Sequence, residues 1–227
     1  DPLTHIFNTS FSSGVFPDAM KISKVIPIFK KGNTEEVSNY RPISLLSTFS
    51  KILERLMYNR LCNFLDKHCI LIPQQFGFRQ SHSTQTALIY ASELLYKFCE
   101  KNELAVCIYV NLSKAFDCLD HQILIHKLEH YGIRGTLLDW FKSYLYNRRQ
   151  FTHYDGIDSD TLAVERGVPQ GSILGPLLFL LFINDIVKSS KLLHFVLYAD
   201  DTNVFFSHNN LELLISKVQA EMQNVTQ

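Results

Sequence analysis

Residues 194–206 read HFVLYADDTNVFF, an apolar, β-branched and aromatic run with two adjacent carboxylates, Asp200 and Asp201, at its centre. Such side chains favour strands, and Tyr198–Asp201 reads as a turn between two strands within 193–207. Like charges buried side by side cost several kcal/mol unless a cation or a proton offsets them. A metal ion is therefore expected at this turn. The alternative is a solvated acidic turn, since Asp bonds readily to its own backbone in turns.

A second strand signal lies upstream. LAVCIYVNL (104–112) is a run of strand formers without a turn residue. If it neighbours the hairpin, position 111 comes to the YADD turn. A carboxylate there would complete a site for two divalent ions about 3.5–4 Å apart, which activate an attacking hydroxyl and stabilise the leaving oxygen in phosphoryl transfer. Mg²⁺ needs only one or two carboxylates, with phosphate and water completing its octahedron.

Helical periodicity fills the spaces between. Thr48–Leu65 sets Phe49, Ile52, Leu53, Leu56, Met57, Leu61, Phe64 and Leu65 at three- and four-residue steps. Ser83–Lys101 repeats the pattern, and helical segments follow at 120–131, 135–147, 173–188 and from Leu211 onward. Residues 150–166 read as a hairpin around Gly156. Elements in this order indicate an α+β fold with an antiparallel sheet packed on helices.

The 227 residues are 46% hydrophobic, enough for one large domain or two subdomains. Residues 1–80 carry 10 basic and 6 acidic side chains and the remainder 12 and 16, so a +4 lobe stands against a −4 lobe. That split suits an anionic ligand at one side and a metal at the other, as well as plain scatter of surface charge. Five cysteines (62, 69, 99, 107, 118) lack CxxC spacing and read as buried or free thiols of a reducing compartment. The nine histidines show no metal-binding spacing. DPLTHIFNTS lacks the basic and apolar regions of a signal peptide, and Ile173–Ile183 is too short to span a bilayer and contains Pro176. A chain that begins without Met and stops inside a helical pattern reads as part of a longer protein.

Four segments together carry a resemblance: VIPIFKKGNTEEVSNYRPISLL (25–46), NLSKAFDCLDH (111–121), GVPQGSILGPLLFLLFIND (167–185) and YADD (198–201). In this order and spacing the chain resembles the reverse transcriptases of non-long-terminal-repeat (LINE-type) retrotransposons over nearly its whole length. The resemblance implies the fingers and palm of a right-hand polymerase, with the thumb missing. Fingers are expected at about 1–85 and 119–165, palm at about 86–118 and 166–227. It also implies an RNA template, a DNA primer, deoxynucleoside triphosphates, two Mg²⁺ ions with Mn²⁺ as a substitute, no membrane partner, and an intracellular setting in nucleus and cytoplasm.

Position by position, Asp200 looks like a catalytic metal ligand and Asp201 its acidic neighbour. Phe116 resembles the bulky gate beneath the incoming sugar, where a flat ring rejects a 2′-hydroxyl; the alternative is an ordinary core Phe. Gln170 and Gly171 resemble the turn lining the nucleotide and template pocket, or else serve as a plain helix start. Arg41 looks like the guanidinium that clasps the triphosphate, with Lys30 as its partner on a mobile fingers hairpin and Lys31 the less favoured choice. Arg79 is expected on template phosphate or a neighbouring carboxylate. Arg148 and Arg149 read as a solvated pair or a nucleic-acid contact.

One position departs. The family's strand motif begins with an aspartate, and here that residue is Asn111. Asparagine is nearly isosteric but neutral, so these three side chains carry −2 in place of −3. Asp117 belongs to the family pattern in its own right and does not replace the missing carboxylate. Two readings follow: an RNA-directed DNA polymerase whose catalysis is impaired by Asn111, or a catalytically dead nucleic-acid-binding or assembly domain that keeps the fold. A metal nuclease would leave Phe116, Arg41 and Lys30 without a task.

Overall fold

The computed structural model describes residues 1–112 and 114–226. In chain order the elements are α1 (Pro2–Ser13), β1 (Ile22–Phe29), β2 (Tyr40–Leu45), α2 (Thr48–Lys67), α3 (Thr84–Glu100), β3 (Leu104–Asn111), α4 (His121–His130), α5 (Thr136–Leu145), β4 (Arg148–Tyr154), β5 (Ile157–Asp158), β6 (Leu162–Val164), α6 (Gly175–Ile183), β7 (His194–Tyr198), β8 (Asp201–His208) and α7 (Leu211–Thr226). The fold is α+β, as expected. Among the described residues no helix is long and apolar enough to cross a membrane, and none of the five cysteines is fully buried.

The chain divides into two compact units, residues 1–68 with 114–182 and residues 69–113 with 183–227. The first contains a sheet in the order β2-β1-β4-β5, with β6 also paired to β4. β1 and β2 are antiparallel, whereas β1 and β4 run parallel from Ile22↔Arg149 to Val25↔Thr152. The ladder to β4 ends two residues before Pro27. Lys30 donates its N–H to the Asn39 carbonyl, so even-numbered residues of β1 point their amides at β2 and Pro27 faces β4. Proline has no N–H to give there. Pro27 lies directly opposite Pro42, and the hairpin runs beyond this pair as two strands alone.

The helical part of the first unit closes over Trp140, which is fully buried. Its ring stacks on Tyr144 at 5.7 Å, meets Phe16 edge-on at 5.4 Å, and donates Nε1–H to Ser10 Oγ at 3.0 Å. Ser10 is on α1. Asp1 caps it by accepting from the Leu3 amide, Pro2 opens it, and Gly14 ends it in the left-handed region. Arg148, expected to be solvated or on nucleic acid, is instead 1% exposed; it begins β4 pointing inward, over the Tyr144 ring, and donates to the Tyr144 carbonyl.

The second unit is built on a three-stranded antiparallel sheet, β3-β8-β7. Period-two alternation sends successive residues to opposite faces. Cys107, Val196 and Phe205 pack with Ala87, Leu94 and Phe98 of α3, while Val106, Ile108, Phe195, Val204 and Phe206 pack with Leu214 and Val218 of α7. Ser83 caps α3 through a reciprocal bond pair with Thr86. The helix expected over 173–188 stops at Ile183. Asn184 turns its side chain to the 70–72 loop, accepting from the Ile72 amide and donating to the Ile70 carbonyl, and a short 3₁₀ turn follows at Ile186–Ser189.

Truncating Trp140 to Ala removes a buried ring and the donor to Ser10 Oγ, which still donates to the Val15 carbonyl. A loss of about 3–5 kcal/mol is expected, measured as a drop in the chemical-denaturation midpoint, with a smaller loss for Trp140→Phe.

Candidate active site

The acidic turn belongs to the second unit. Strands β7 and β8 pair from His194↔Phe205 to Tyr198↔Asp201, leaving Ala199 and Asp200 at the tip. Strand β3 pairs with β8 over eight positions, the last being Asn111↔Asp201. Residue 111 therefore arrives at the acidic turn on the α3 face, with its Nδ2 3.5 Å from Asp201 Oδ1. A groove of about 520 Å³ beside them is lined by Asn111, Asp201, Tyr198, Tyr109, Thr84 and Leu88 among others. The carboxylates themselves are not buried: Asp201 and Asn111 are exposed and Asp200 half-buried. Apolar strands flank the pair, but the turn lifts it into water, so desolvation does not by itself demand a counter-ion.

Among the described residues no three His, Cys, Asp or Glu side chains gather as a metal site. Two adjacent carboxylates and one amide oxygen, open to water, nonetheless suit an octahedral cation that takes one or two carboxylates and fills its other positions from water and phosphate.

The residues expected around the nucleotide lie in the first unit. The segment 166–171 is a cradle held on both sides. Val168 donates its amide to the Phe116 carbonyl, Gly167 donates to the Leu119 carbonyl, and Gln170 Nε2 donates to Asp117 Oδ1 at 3.0 Å. On its other side the Ser44 amide donates to the Gln170 carbonyl at 2.7 Å. Gly171 has φ of 121°, and a Cβ there would stand 2.7 Å from the Ser44 carbonyl oxygen; only glycine allows this approach. A cleft of about 340 Å³ is lined by Gln170, Asp117, Pro42 and Ser44 among others. The half-buried Phe116 packs its ring on Phe179 at 4.8 Å.

Arg41 and Lys30 are exposed. Arg41 pairs with Ile28, and Lys30 follows Ile28 by two residues, so both cations share one face of the β1–β2 hairpin. Pro42 and Ser44 occupy the opposite face, toward the Gln170 cleft. Lys31 follows on from Lys30 in the bend after β1.

The reverse transcriptase (RNA-dependent DNA polymerase) profile matches residues 28–226. The chain belongs to the reverse transcriptase family. It is 34% identical over 221 residues to the "Probable RNA-directed DNA polymerase from transposon BS" of Drosophila melanogaster, covering 91% of this chain and 24% of that protein. It is also 34% identical over 225 residues to the "RNA-directed DNA polymerase from mobile element jockey" of the same fly, covering 96% of this chain and 24% of that protein. The chain thus spans about a quarter of the length of these curated relatives. Among solved structures, truncated apo telomerase from Candida tropicalis superposes with a TM-score of 0.63 at 14% identity, over 98% of this chain and 51% of that one. At that identity the likeness speaks for the fold alone.

In this reverse transcriptase chain, some supporting residues carried no periodic or motif signal. Glu54 is fully buried. Its Oε2 accepts from the Ile173 and Leu174 amides at 2.7 and 3.2 Å, just beyond the Gln170–Gly171 turn, and its Oε1 accepts from Ser50 Oγ at 3.1 Å. Arg79 donates to the Ile72 and Gln75 carbonyls at 2.7 and 3.2 Å, so part of its guanidinium serves the loop on which it sits.

Burial pushes the Glu54 carboxyl above its ordinary value of 4.5, with the two amides and Arg148 opposing the rise. A group whose folded pKa is raised gives its full stabilisation below the unfolded value and loses it as pH climbs through the folded one. From about pH 4 upward, Tm is expected to fall more for this chain than for Glu54→Gln, which keeps an acceptor and has no proton to lose. In Gly171→Ala, strain and the clash with Ser44 are expected to cost about 1–3 kcal/mol by denaturant titration.

Proposed function

We propose that this chain is the reverse transcriptase domain of a retrotransposon, built for RNA-directed DNA synthesis and slowed by Asn111. In this reaction a primer 3′-hydroxyl attacks the α-phosphate of a template-paired deoxynucleoside triphosphate, and pyrophosphate leaves. The observation that carries the reading is the Asn111↔Asp201 pair, which sets the end of β3 against the YADD turn.

Asp200 and Asp201, with the amide oxygen of Asn111, are the residues that would hold Mg²⁺, or Mn²⁺ in its place. When bound, a pair of such ions makes the attacking hydroxyl more acidic and neutralises charge on the phosphates. The exposed Arg41 and Lys30 supply a two-cation face for the triphosphate, Arg41 with a fork matched to phosphate oxygens. Phe116, its ring backed by Phe179, serves as the gate against a 2′-hydroxyl. Gln170 and Gly171 present the turn that lines the nucleotide and template pocket, with fingers at about 1–85 and 119–165 and palm at about 86–118 and 166–227. Template, primer and nucleotide are the partners, in an intracellular setting.

Asn111 lowers the charge available to the cations without altering volume. Loss of one carboxylate ligand is taken to remove about 3–5 kcal/mol of transition-state stabilisation, or about 10²–10⁴ in rate. Primer extension on an RNA template in Mg²⁺ or Mn²⁺ tests this: Asn111→Asp is expected to raise turnover by about 10²–10⁴-fold. Equal and robust extension by both chains would sink the impairment. No extension by either, with template–primer still bound, would favour the second reading, a binding or assembly domain that has kept the fold and lost the chemistry.

A further inference from the structure

One buried polar side chain that the proposed chemistry leaves unused ends on the acidic hairpin. Gln75, in the second unit, is 2% exposed. The segment 74–77 runs beside β7 as a short parallel extension: Leu197 donates its amide to the Gln74 carbonyl at 2.9 Å, and Phe76 donates to the Leu197 carbonyl at 2.8 Å. Backbone pairing stops there because β7 bends into the turn. The Gln75 carboxamide takes over. Its Oε1 accepts from the Ala199 amide at 3.1 Å and from the Gly77 amide at 2.8 Å, and its Nε2 lies 3.5 Å from the Ala199 carbonyl.

Ala199 needs such a partner. It is buried and holds φ of 57°, a left-handed conformation that alanine adopts only when its surroundings impose it. A buried amide without an acceptor would add to that strain. Gly77 closes the contact from the other side, since a Cβ there would lie 2.2 Å from the Ala199 nitrogen. Only a side chain of this length, with an acceptor and a donor at its end, serves both backbone groups of Ala199. Methionine has the length without the polar end, and asparagine is one methylene short.

We infer that Gln75 is a positioning residue for the YADD turn: its carboxamide fixes Ala199, and through Ala199 the direction in which Asp200 and Asp201 leave the hairpin. The link to function rests on reading those two aspartates as the metal-holding pair. The contact itself does not.

Amide hydrogen exchange by NMR and Mn²⁺ titration by electron paramagnetic resonance, both on the whole chain, separate the two. In Gln75→Met and Gln75→Asn, each checked for folding by circular dichroism, the Ala199 amide is expected to exchange about tenfold faster while Leu197 keeps its rate. Mn²⁺ affinity is expected to fall about threefold or more in the same variants. Gln75→Glu keeps an accepting oxygen for the Ala199 amide but has no donor for its carbonyl, and is expected to bring Ala199 exchange only part of the way back to the parent rate. Unchanged Ala199 exchange, or Ala199 and Leu197 accelerating together, overturns the clamp. Unchanged affinity in a chain that does bind Mn²⁺ overturns the positioning role. If neither this chain nor its Asn111→Asp variant binds Mn²⁺, the metal reading fails instead, and Ala199 exchange still decides the clamp.

Discussion

The register of β3 against β8 is the constraint on which the second unit depends. Eight cross-strand pairs run from Leu104↔His208 to Asn111↔Asp201, and burial and site geometry are both written into them. Because side chains alternate with a period of two, a slip of one residue would turn every β3 side chain to the wrong helix. Cys107 would leave the α3 layer, Val106 and Ile108 would leave the α7 layer, and residue 111 would point away from Asp201. The core that makes the sheet stable is therefore the device that delivers position 111 to the turn. Asparagine at that position disturbs none of this, since the ladder uses its backbone and the core lies elsewhere.

The first unit holds its cradle in a different way. Here a buried carboxylate does the fixing. Glu54 would be costly alone in an apolar interior, and two backbone amides at the start of α6, a serine hydroxyl and the charge of Arg148 offset that cost. Those amides immediately precede Gly175, so the carboxylate fixes the chain where it enters α6. With Ser44 on one flank and Phe116, Leu119 and Asp117 on the other, the Gln170–Gly171 turn is tied at several backbone points, although it contains no regular structure itself.

Legibility followed periodicity. Helices α2 and α3 were plain in the sequence because their apolar residues recur at helical spacing behind Ser47 and Ser83 caps. Strands β3, β7 and β8 were plain because strand formers run unbroken around one acidic turn. Helix α1 is not among the expected elements, although Asp1, Pro2 and Gly14 mark its ends. The expected helix over 173–188 is apolar on every side, and what ends it is the use of Asn184 by a loop more than a hundred residues away. The aspartates meet water although their sequence neighbours are apolar, because composition reports the neighbourhood of a residue and not the direction of its side chain. Glu54 and Gln75 are out of reach for a related reason: each reaches backbone amides more than a hundred residues away, and no local pattern announces such a match. The family motifs were recognisable as letters, while the bonds that hold them were not.

The proline pair in the β1–β2 hairpin has a mechanical consequence. At Lys24 and Val25 the strand is braced on both sides, by β2 and by β4. Past Pro27 the second brace is missing, and a two-stranded ribbon is the least self-supporting form of sheet. Bending stiffness therefore drops at one defined point along β1, and Arg41 and Lys30 both ride on the compliant side of it. Two positive charges thus stand on the part of the hairpin that has a neighbouring strand on one side only, ahead of a stretch that is held on both.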